Sequence, residues 1–317
     1  MRKALIVGIN DYSFGALNGC IPDANKITNI LSRDYDDSPN FNCKKLISSE
    51  ITITTEELKQ GVIDLFASAC DIALFYFSGH GSEPSAKSKS CLVTQDAKTH
   101  TEGMELGFLI DLANRSTEVR EVVIILDCCF SGDIANSFLN SNMATIREGV
   151  TILASSHQTE VSMDTAKGGV FTSIVFDALN GGASDTTGLI TVAAVYSFAD
   201  KLLGAWDQRP VFKANVKRML PLRKAKPLVP TEILRKLSIY FKIKDDLLNL
   251  DPSFEPDAEP KGHDNEKIFA DLQKYNRASL LEPIGEEHMY FAAINSKSCS
   301  LTPLGKYYWK LSKDGKL

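Results

Sequence analysis

Two short segments carry the residue types needed for nucleophilic attack on a carbonyl. Ser-Gly-His-Gly at 78–81 places His80 between two glycines, and Asp-Cys-Cys at 127–129 ends in Cys129. A thiol attacks a carbonyl only as its thiolate, so a nucleophilic cysteine needs a nearby base, a positive helix end, or both. His80 can accept the thiol proton, while the Gly81 and Cys129 amides can donate hydrogen bonds to an oxyanion. This pattern predicts Cys129 as the nucleophile and His80 as the general acid and base.

Both segments follow runs of apolar residues that read as buried strands. Helical segments separate these runs, and such an alternation predicts an α/β fold with a parallel sheet covered on both faces. Ligands of such sheets bind beyond the carboxyl ends of the strands, which is where His80, Cys129 and Ser155 are expected. A helix is also expected after Gly132, with its N-terminus directed toward Cys129. The runs with this character are 4–9, 72–77, 121–126 and 149–154.

Taken one at a time, these residues have ordinary structural interpretations. A lone buried cysteine usually packs as a small apolar side chain, and a lone histidine beside glycine usually has a structural role. The placement of His80 and Cys129 at the ends of two predicted strands favours catalysis over these alternatives.

Composition limits the class of protein further. The chain has 317 residues, 44% hydrophobic residues and a net charge of −5, which argues against a nucleic-acid-binding protein with a dominant basic surface. The apolar N-terminal run is too short for a signal peptide or membrane span, so we expect a cytoplasmic protein. The cysteines form neither a metal-binding pattern nor an even disulfide framework, which indicates reduced thiols; they lie at 20, 43, 70, 91, 128, 129 and 299.

At these motifs the sequence resembles the caspase and metacaspase clan of cysteine proteases. The segment 127–132, Asp-Cys-Cys-Phe-Ser-Gly, is similar to the metacaspase motif in which the second cysteine is the nucleophile. Residues 80 and 129 are 49 positions apart, close to the spacing of about 50 in caspases. Phe130 stands where many metacaspases have histidine, and bacterial relatives tolerate this change. The resemblance extends over residues 1–216, with further anchors at 19–24 and 169–172.

The resemblance implies a caspase-like, mostly parallel six-stranded sheet with helices on both faces at 1–216. Residues 217–230 are then a basic, proline-containing linker, and 231–317 form a small α+β domain. In that domain we expect a helix from Thr231 to about 249, a strand at 288–294 and a last helix from Thr302, an order that favours a winged-helix-like fold. The basic run at 213–226 could instead contact nucleic acid, but a linker is the favoured interpretation.

The resemblance also implies which bond is cut. In metacaspases the first specificity pocket is acidic, and the matching positions here are Cys20, Asp23, Ser78 and Asp127. Two carboxylates suit a guanidinium or ammonium group, which predicts cleavage after Arg or Lys. The alternative is that Asp23 caps its helix and Asp127 accepts hydrogen bonds from the following loop.

Three further sets of residues follow from the resemblance. Ser155 and Ser156 correspond to the segment that pairs with an extended substrate backbone. Arg147 and Lys167 lie in predicted loops and are candidate self-cleavage sites. The chemistry requires no cofactor, and Asp96 is a calcium candidate, although a calcium site needs several converging oxygen ligands.

The leading hypothesis is therefore a caspase-like cysteine endopeptidase that acts through a thioester. Its expected partners are protein substrates and an activating protein or nucleotide-derived signal at the C-terminal domain, with neither nucleic acid nor membrane. From the resemblance we expect a role in a bacterial defence or cell-death pathway. Two alternatives remain: a caspase-fold adaptor with little catalysis, and a nucleic-acid-binding regulator resting on the basic run.

Overall fold

A computed structural model describes residues 1–82, 89–128, 145–155, 168–203, 210–259 and 261–317. The described chain divides into two compact units. The first contains Met1–Ser184 and Leu189–Ala225, and the second contains Asp185–Gly188 and Lys226–Leu317. In the described part of the chain, no helix is long and apolar enough to cross a membrane.

The first unit alternates strands and helices along the chain. Its strands are β1 Arg2–Gly8, β2 Asn42–Ile47, β3 Cys70–Gly79, β4 Gly81–Ser82, β5 Cys91–Val93, β6 Gly103–Glu105, β7 Val119–Cys128, β8 Val150–Ala154, β9 Leu189–Ile190, β10 Val211–Asn215 and β11 Arg223–Lys224. Its helices are α1 Cys20–Ser32, α2 Thr55–Phe66, α3 Leu106–Arg115, α4 Val170–Asp177 and α5 Val192–Leu203, with a π-helical turn at Ala178–Gly182.

Six of these strands form the central sheet, in the order β10-β8-β7-β3-β1-β2. Neighbours from β8 through to β2 pair in parallel, whereas β10 pairs with β8 in antiparallel fashion. The predicted mostly parallel six-stranded sheet is therefore confirmed. The sequence analysis does not predict strand β10, which is only five residues long and overlaps the start of the basic run at 213–226.

Both faces of the sheet are buried, which explains why its strands read as continuous apolar runs. In β3, Phe75 and Phe77 belong to one hydrophobic cluster, while Leu74 and Tyr76 belong to the other. The first cluster contains buried residues of α2 and α3, and the second contains buried residues of α1, α4 and α5. Because side chains alternate along a strand, this division decides which residues near the strand ends share a face.

The start of α2 shows how a short sequence pattern specifies local structure. Thr54 and Glu57 form a capping box at the start of α2, in which each side chain bonds the backbone N–H of the other residue. Beyond His80 the chain forms a small antiparallel sheet in the order β4-β5-β6. Its first residue, Gly81, pairs with Leu92.

The second unit is an α+β arrangement around a three-stranded antiparallel sheet in the order β12-β14-β13. Its core contains buried aromatic residues, among them Phe241, Phe269 and Trp309. Its elements are α6 Thr231–Leu234, α7 Leu237–Tyr240, β12 Leu248–Asn249, a 3-10 turn at Pro252–Phe254, α8 Asn265–Arg277, β13 Leu281–Ile284, α9 Met289–Ile294, β14 Ser298–Leu301 and α10 Pro303–Lys313.

Two secondary-structure predictions for this unit were wrong. The helix expected from Thr231 to 249 is two one-turn helices, and Leu248 begins a strand. The strand expected at 288–294 is helix α9, because Met289, Ala292 and Ala293 share a buried face at helical spacing. Because a helix replaces the expected strand, the element order on which the winged-helix-like interpretation relied is not observed. The helix predicted from Thr302 is confirmed, and the Thr302 side chain caps it.

Candidate active site

The carboxyl ends of three central strands meet at one edge of the sheet. Ser78 pairs with Asp127 and Gly79 with Cys128 between β3 and β7. His80 follows β3 directly, and Ser155 follows β8 directly. The predicted nucleophile Cys129 lies outside the described residues, as do Ser156 and Lys167.

The His80 imidazole is held by the backbone of the loop that follows β1. Its Nε2 lies 2.7 Å from the Gly15 carbonyl oxygen. A carbonyl oxygen only accepts hydrogen bonds, so this contact favours the tautomer with a proton on Nε2. Nδ1 is then the basic nitrogen of the neutral ring. The histidine side chain is half-buried, which leaves part of the ring accessible.

Aromatic residues surround this ring. The centroid of the Tyr12 ring lies 4.7 Å from that of His80, and the Phe14 centroid lies 6.2 Å away. His100 approaches edge-on, with a centroid separation of 5.5 Å, and packs on Phe14 at 4.1 Å. These neighbours limit the orientations that the His80 ring can adopt.

Tyr12 also holds the backbone at His80. Its hydroxyl accepts a hydrogen bond from the His80 N–H at 3.0 Å and donates one to the Val93 carbonyl at 3.3 Å. The His80 carbonyl in turn accepts from the Val93 N–H at 3.0 Å. A Cβ atom at Gly79 would lie 2.5 Å from the Tyr12 hydroxyl, so only glycine permits this close approach. Burial raises the pKa of Tyr12 well above its ordinary value, which keeps the phenol protonated.

Two carboxylates converge a short distance along the same sheet edge. Asp23, in the first turn of α1, is almost fully buried, and its Oδ2 accepts from the Gly169 N–H at 2.8 Å. Asp127 is half-buried near the end of β7, and its Oδ2 accepts from the Thr172 hydroxyl at 2.5 Å. A Cβ atom at Gly169 would lie 2.9 Å from Asp127 Oδ2 and 3.2 Å from Asp23 Oδ2. The two acids therefore border the same small volume.

The other two predicted pocket residues lie nearby. Ser78 is buried and sits directly opposite Asp127 in the strand register. Cys20 is the buried first residue of α1, and its N–H donates to the Asn10 side-chain oxygen at 3.0 Å. One cation is already present: Lys26 Nζ lies 3.9 Å from Asp23 Oδ1, on a side chain that is 34% exposed.

The sequence matches the family model described as Caspase domain over residues 1–220, which is more than half of the chain. This chain belongs to the caspase-domain family. No curated protein sequence matches it.

Two solved structures are similar to part of this chain. Protein GSU0716 from Geobacter sulfurreducens aligns with a TM-score of 0.51 and 15% identity, over 71% of this chain and 100% of that chain. Caspase-1 from Spodoptera frugiperda aligns with a TM-score of 0.49 and 16% identity, over 71% of this chain and 91% of that chain. At 15% identity, the likeness to GSU0716 concerns the fold.

Ser155 is engaged within the sheet edge of the caspase domain. Its N–H donates to the Leu126 carbonyl at 2.9 Å, and its hydroxyl donates to the Cys128 carbonyl at 3.2 Å. These contacts extend the β7–β8 pairing by one residue and hold the end of β7 in place. Backbone contact between this segment and a substrate stays a prediction.

Arg147, a predicted self-cleavage site, is half-buried and makes several structural contacts. Its guanidinium donates to the carbonyl oxygens of Ala113, Ser116, Val119 and Glu148 at 2.6 to 3.0 Å. It lies just before β8, whose carboxyl end carries Ser155. Cleavage after Arg147 would require these hydrogen bonds to break first.

Asp96, the calcium candidate, has an internal structural role. Its Oδ1 accepts from the Thr55 N–H at 3.0 Å and from the Thr94 hydroxyl at 2.6 Å, which ties the start of α2 to the loop after β5. Within the described ranges, no group of three or more His, Cys, Asp or Glu side chains is arranged to hold a metal ion. Calcium binding at Asp96 remains a prediction without further support from its described neighbours.

Several site residues were missed by the sequence reasoning. Tyr12 and Gly15 lie in the loop after β1, which is rich in Gly, Asn and Ser, and His100 lies in an exposed polar segment. Thr172 belongs to the 169–172 anchor of the resemblance, but nothing in that motif indicates that its hydroxyl contacts Asp127. No local pattern identifies such residues, because each meets its partner across a separation of at least 20 positions.

Proposed function

We propose that this caspase-domain protein is a cysteine endopeptidase that cleaves proteins after Arg or Lys, with Cys129 as nucleophile and His80 as acid and base. The proposed specificity rests on one observation: the carboxylates of Asp23 and Asp127 both lie close to Gly169, at the sheet edge where His80 lies. Two carboxylates beside one small volume suit a cationic side chain. An animal-type pocket for Asp would need arginine, and the motifs that form this site contain none.

The proposed reaction is an acyl transfer in two stages. His80 Nδ1 accepts the proton of the Cys129 thiol, and the thiolate attacks the carbonyl carbon of the scissile bond. The Gly81 and Cys129 amides donate hydrogen bonds to the resulting oxyanion. The C–N bond then breaks, the amine leaves with the proton from His80, and a thioester remains. Water, deprotonated by His80, hydrolyses the thioester to the carboxylic acid and restores the thiol.

The contact between His80 Nε2 and Gly15 supports this role for the histidine. A ring that donates from Nε2 to a fixed carbonyl keeps Nδ1 as its basic nitrogen, and the charge that develops on protonation is stabilised by the same carbonyl oxygen. Proton transfer requires a fixed orientation of the His80 ring, so the aromatic residues packed around this ring also support the role of His80 as acid and base.

A peptide panel tests the proposal. Fluorogenic peptides with Arg, Lys, Gln or Asp before the scissile bond are incubated with the wild type, Cys129→Ala and Cys128→Ala. We expect cleavage after Arg and Lys by the wild type and by Cys128→Ala, since Cys128 is a buried packing residue. Cys129→Ala should be inactive, because no other thiol occupies its position.

The assays are run with and without calcium, and with cell lysate to supply an activator, because clan members are often regulated. Cleavage that persists in Cys129→Ala, or that occurs after Asp but not after Arg or Lys, would falsify the proposal. Activation by a partner or a nucleotide-derived signal, and a role in defence, remain predictions from the resemblance, and the lysate arm tests the first of them.

Tyr12→Phe is expected to lower kcat by about 3- to 10-fold and to leave KM nearly unchanged. The change removes only the hydroxyl that binds the His80 N–H and the Val93 carbonyl, and a net hydrogen bond is worth about 0.5–1.5 kcal/mol. Steady-state kinetics on an Arg peptide measure both constants.

Tyr275→Phe is the matched control. Tyr275 is buried, as Tyr12 is, and its hydroxyl donates to the Ile233 carbonyl in the second unit. Tyr275→Phe should lower the free energy of unfolding by about as much as Tyr12→Phe does, but it should leave kcat unchanged. Equal kcat values for the two variants would show that Tyr12 has no effect specific to His80.

A further inference from the structure

Thr172 lies between a buried tyrosine and one of the two acids. It is the third residue of α4 and is fully buried. Its hydroxyl donates to Asp127 Oδ2 at 2.5 Å and lies 2.5 Å from the Tyr76 hydroxyl. A threonine hydroxyl has one proton, and here that proton goes to the carboxylate, so Tyr76 must be the donor to Thr172. The three groups therefore form a directed chain from Tyr76 through Thr172 to Asp127.

The strand pairing explains why this chain forms. Tyr76 and Asp127 lie on neighbouring strands, two positions apart in the register, because Ser78 is the direct partner of Asp127. Tyr76 and Ile125 belong to the same hydrophobic cluster, and alternation places Asp127 on that face too. Phe171 of α4 packs in this cluster, which brings Thr172 over the two strands.

Tyr76 is suited to act as a fixed donor. It is fully buried in the middle of the sheet, so its ring cannot move without disturbing the core. Burial first, and then the negative charges of Asp127 and Asp23, raise the pKa of Tyr76 well above its ordinary value. The phenol thus stays protonated and keeps donating to Thr172.

The same turn of α4 also reaches the second acid. Gly169 immediately precedes the helix, and its N–H donates to Asp23 Oδ2. One short segment, 169–172, thereby donates to both carboxylates through a backbone amide and a side-chain hydroxyl. The position of this segment sets the spacing between the acids.

We propose that Thr172, supported by Tyr76, is a positioning residue that determines specificity by holding the Asp127 carboxylate in the orientation that pairs with a basic side chain. This inference rests on the proposed function. A guanidinium binds best to a carboxylate whose plane is already fixed, and a carboxylate that can rotate loses part of that interaction.

Thr172→Val tests the proposal, since valine keeps the shape of threonine and removes the hydroxyl. The readout is the ratio of kcat/KM for an Arg peptide to kcat/KM for the same peptide with citrulline, a neutral analogue of arginine. We expect this ratio to fall by about tenfold or more, because a hydrogen bond to a charged group is lost. A purely structural role would lower both values equally and leave the ratio unchanged.

Three further variants make the test specific. Thr172→Ser keeps the hydroxyl and should retain the wild-type ratio. Tyr76→Phe removes the donor behind Thr172 but leaves the Thr172–Asp127 hydrogen bond, so its ratio should fall by less than that of Thr172→Val. Thr151→Val is the matched control, since Thr151 is a buried threonine on β8 outside this chain of hydroxyls, and its ratio should not change.

The outcomes separate the inference from the proposed function. A wild type that does not prefer Arg to citrulline overturns the proposed specificity itself. A wild type that prefers Arg, together with a Thr172→Val variant that keeps the same ratio, overturns only the role of Thr172. Circular dichroism checks that Thr172→Val folds; if it does not, an unchanged ratio in Tyr76→Phe overturns the inference and a lowered one supports it.

Discussion

His80→Ala is expected to lower kcat for cleavage of an Arg peptide by about 10²- to 10⁴-fold, the range that a positioned acid or base contributes. The variant lacks the group that the proposed reaction uses to accept the thiol proton and to protonate the leaving amine. The fraction of thiolate at neutral pH falls as a result, since an unassisted cysteine has a pKa of about 8.5. Steady-state kinetics from pH 5 to about 9 measure the effect, and the loss should be smaller at high pH, where the thiol ionises without assistance.

His100→Ala is the matched control for this prediction. His100 packs edge-on against His80 but is exposed and does not share the contact with Gly15. Its removal should leave most of the activity in place. A His80→Ala enzyme that is as active as His100→Ala would exclude His80 as the acid and base. Circular dichroism of both variants shows that the comparison is between folded proteins.

The second large effect is expected from Asp127→Asn, which should lower kcat/KM for Arg and Lys peptides by about 30-fold to several thousand-fold. Removing one partner of a desolvated charge pair costs about 2–5 kcal/mol, and this free energy corresponds to the expected loss in kcat/KM. The side chain keeps its size, and its amide oxygen can still accept from Thr172. The loss should fall on charged substrates, so cleavage of a citrulline peptide should change much less.

Asp23→Asn should act in the same direction, because Asp23 borders the same volume at Gly169. Asp71→Asn provides the control: Asp71 is an exposed aspartate at the start of β3, where it pairs with the N-terminal ammonium group. Its replacement should not alter the preference for Arg. If Asp127→Asn and Asp23→Asn both kept the wild-type ratio of Arg to citrulline cleavage, the acidic pocket would have to lie elsewhere.

The predictions that held rest on short-range patterns. The run at 72–77 has an uninterrupted series of large apolar residues, which suits a strand buried on both faces, and the structure buries both faces of β3. The Thr-x-x-Glu pattern at 54–57 likewise corresponds to a capping box, because that motif involves only one turn of backbone. His80 could be placed at a strand end for the same reason, since it directly follows such a run.

Predictions for short apolar segments were wrong or missing in two places. Segment 288–294 is apolar enough to be read as a strand, but Met289, Ala292 and Ala293 recur at helical spacing and pack together in the second unit's core. Strand β10, Val-Phe-Lys-Ala-Asn, is short and lies at the edge of the sheet, where it pairs with β8. Apolar content alone therefore does not distinguish a short strand from a short helix in such segments.

The sequence by itself determined the alternation of strands and helices, the strand-end location of His80, and the residue types available for catalysis, because these depend on neighbours in the chain. The tertiary structure alone decided which groups orient the side chains of the catalytic site and of the acidic pocket. Gly15 meets His80 across 65 positions, Thr172 meets Asp127 across 45, and Gly169 meets Asp23 across 146. Such contacts arise from strand order and from the face on which each side chain emerges, and no local pattern of residues specifies either.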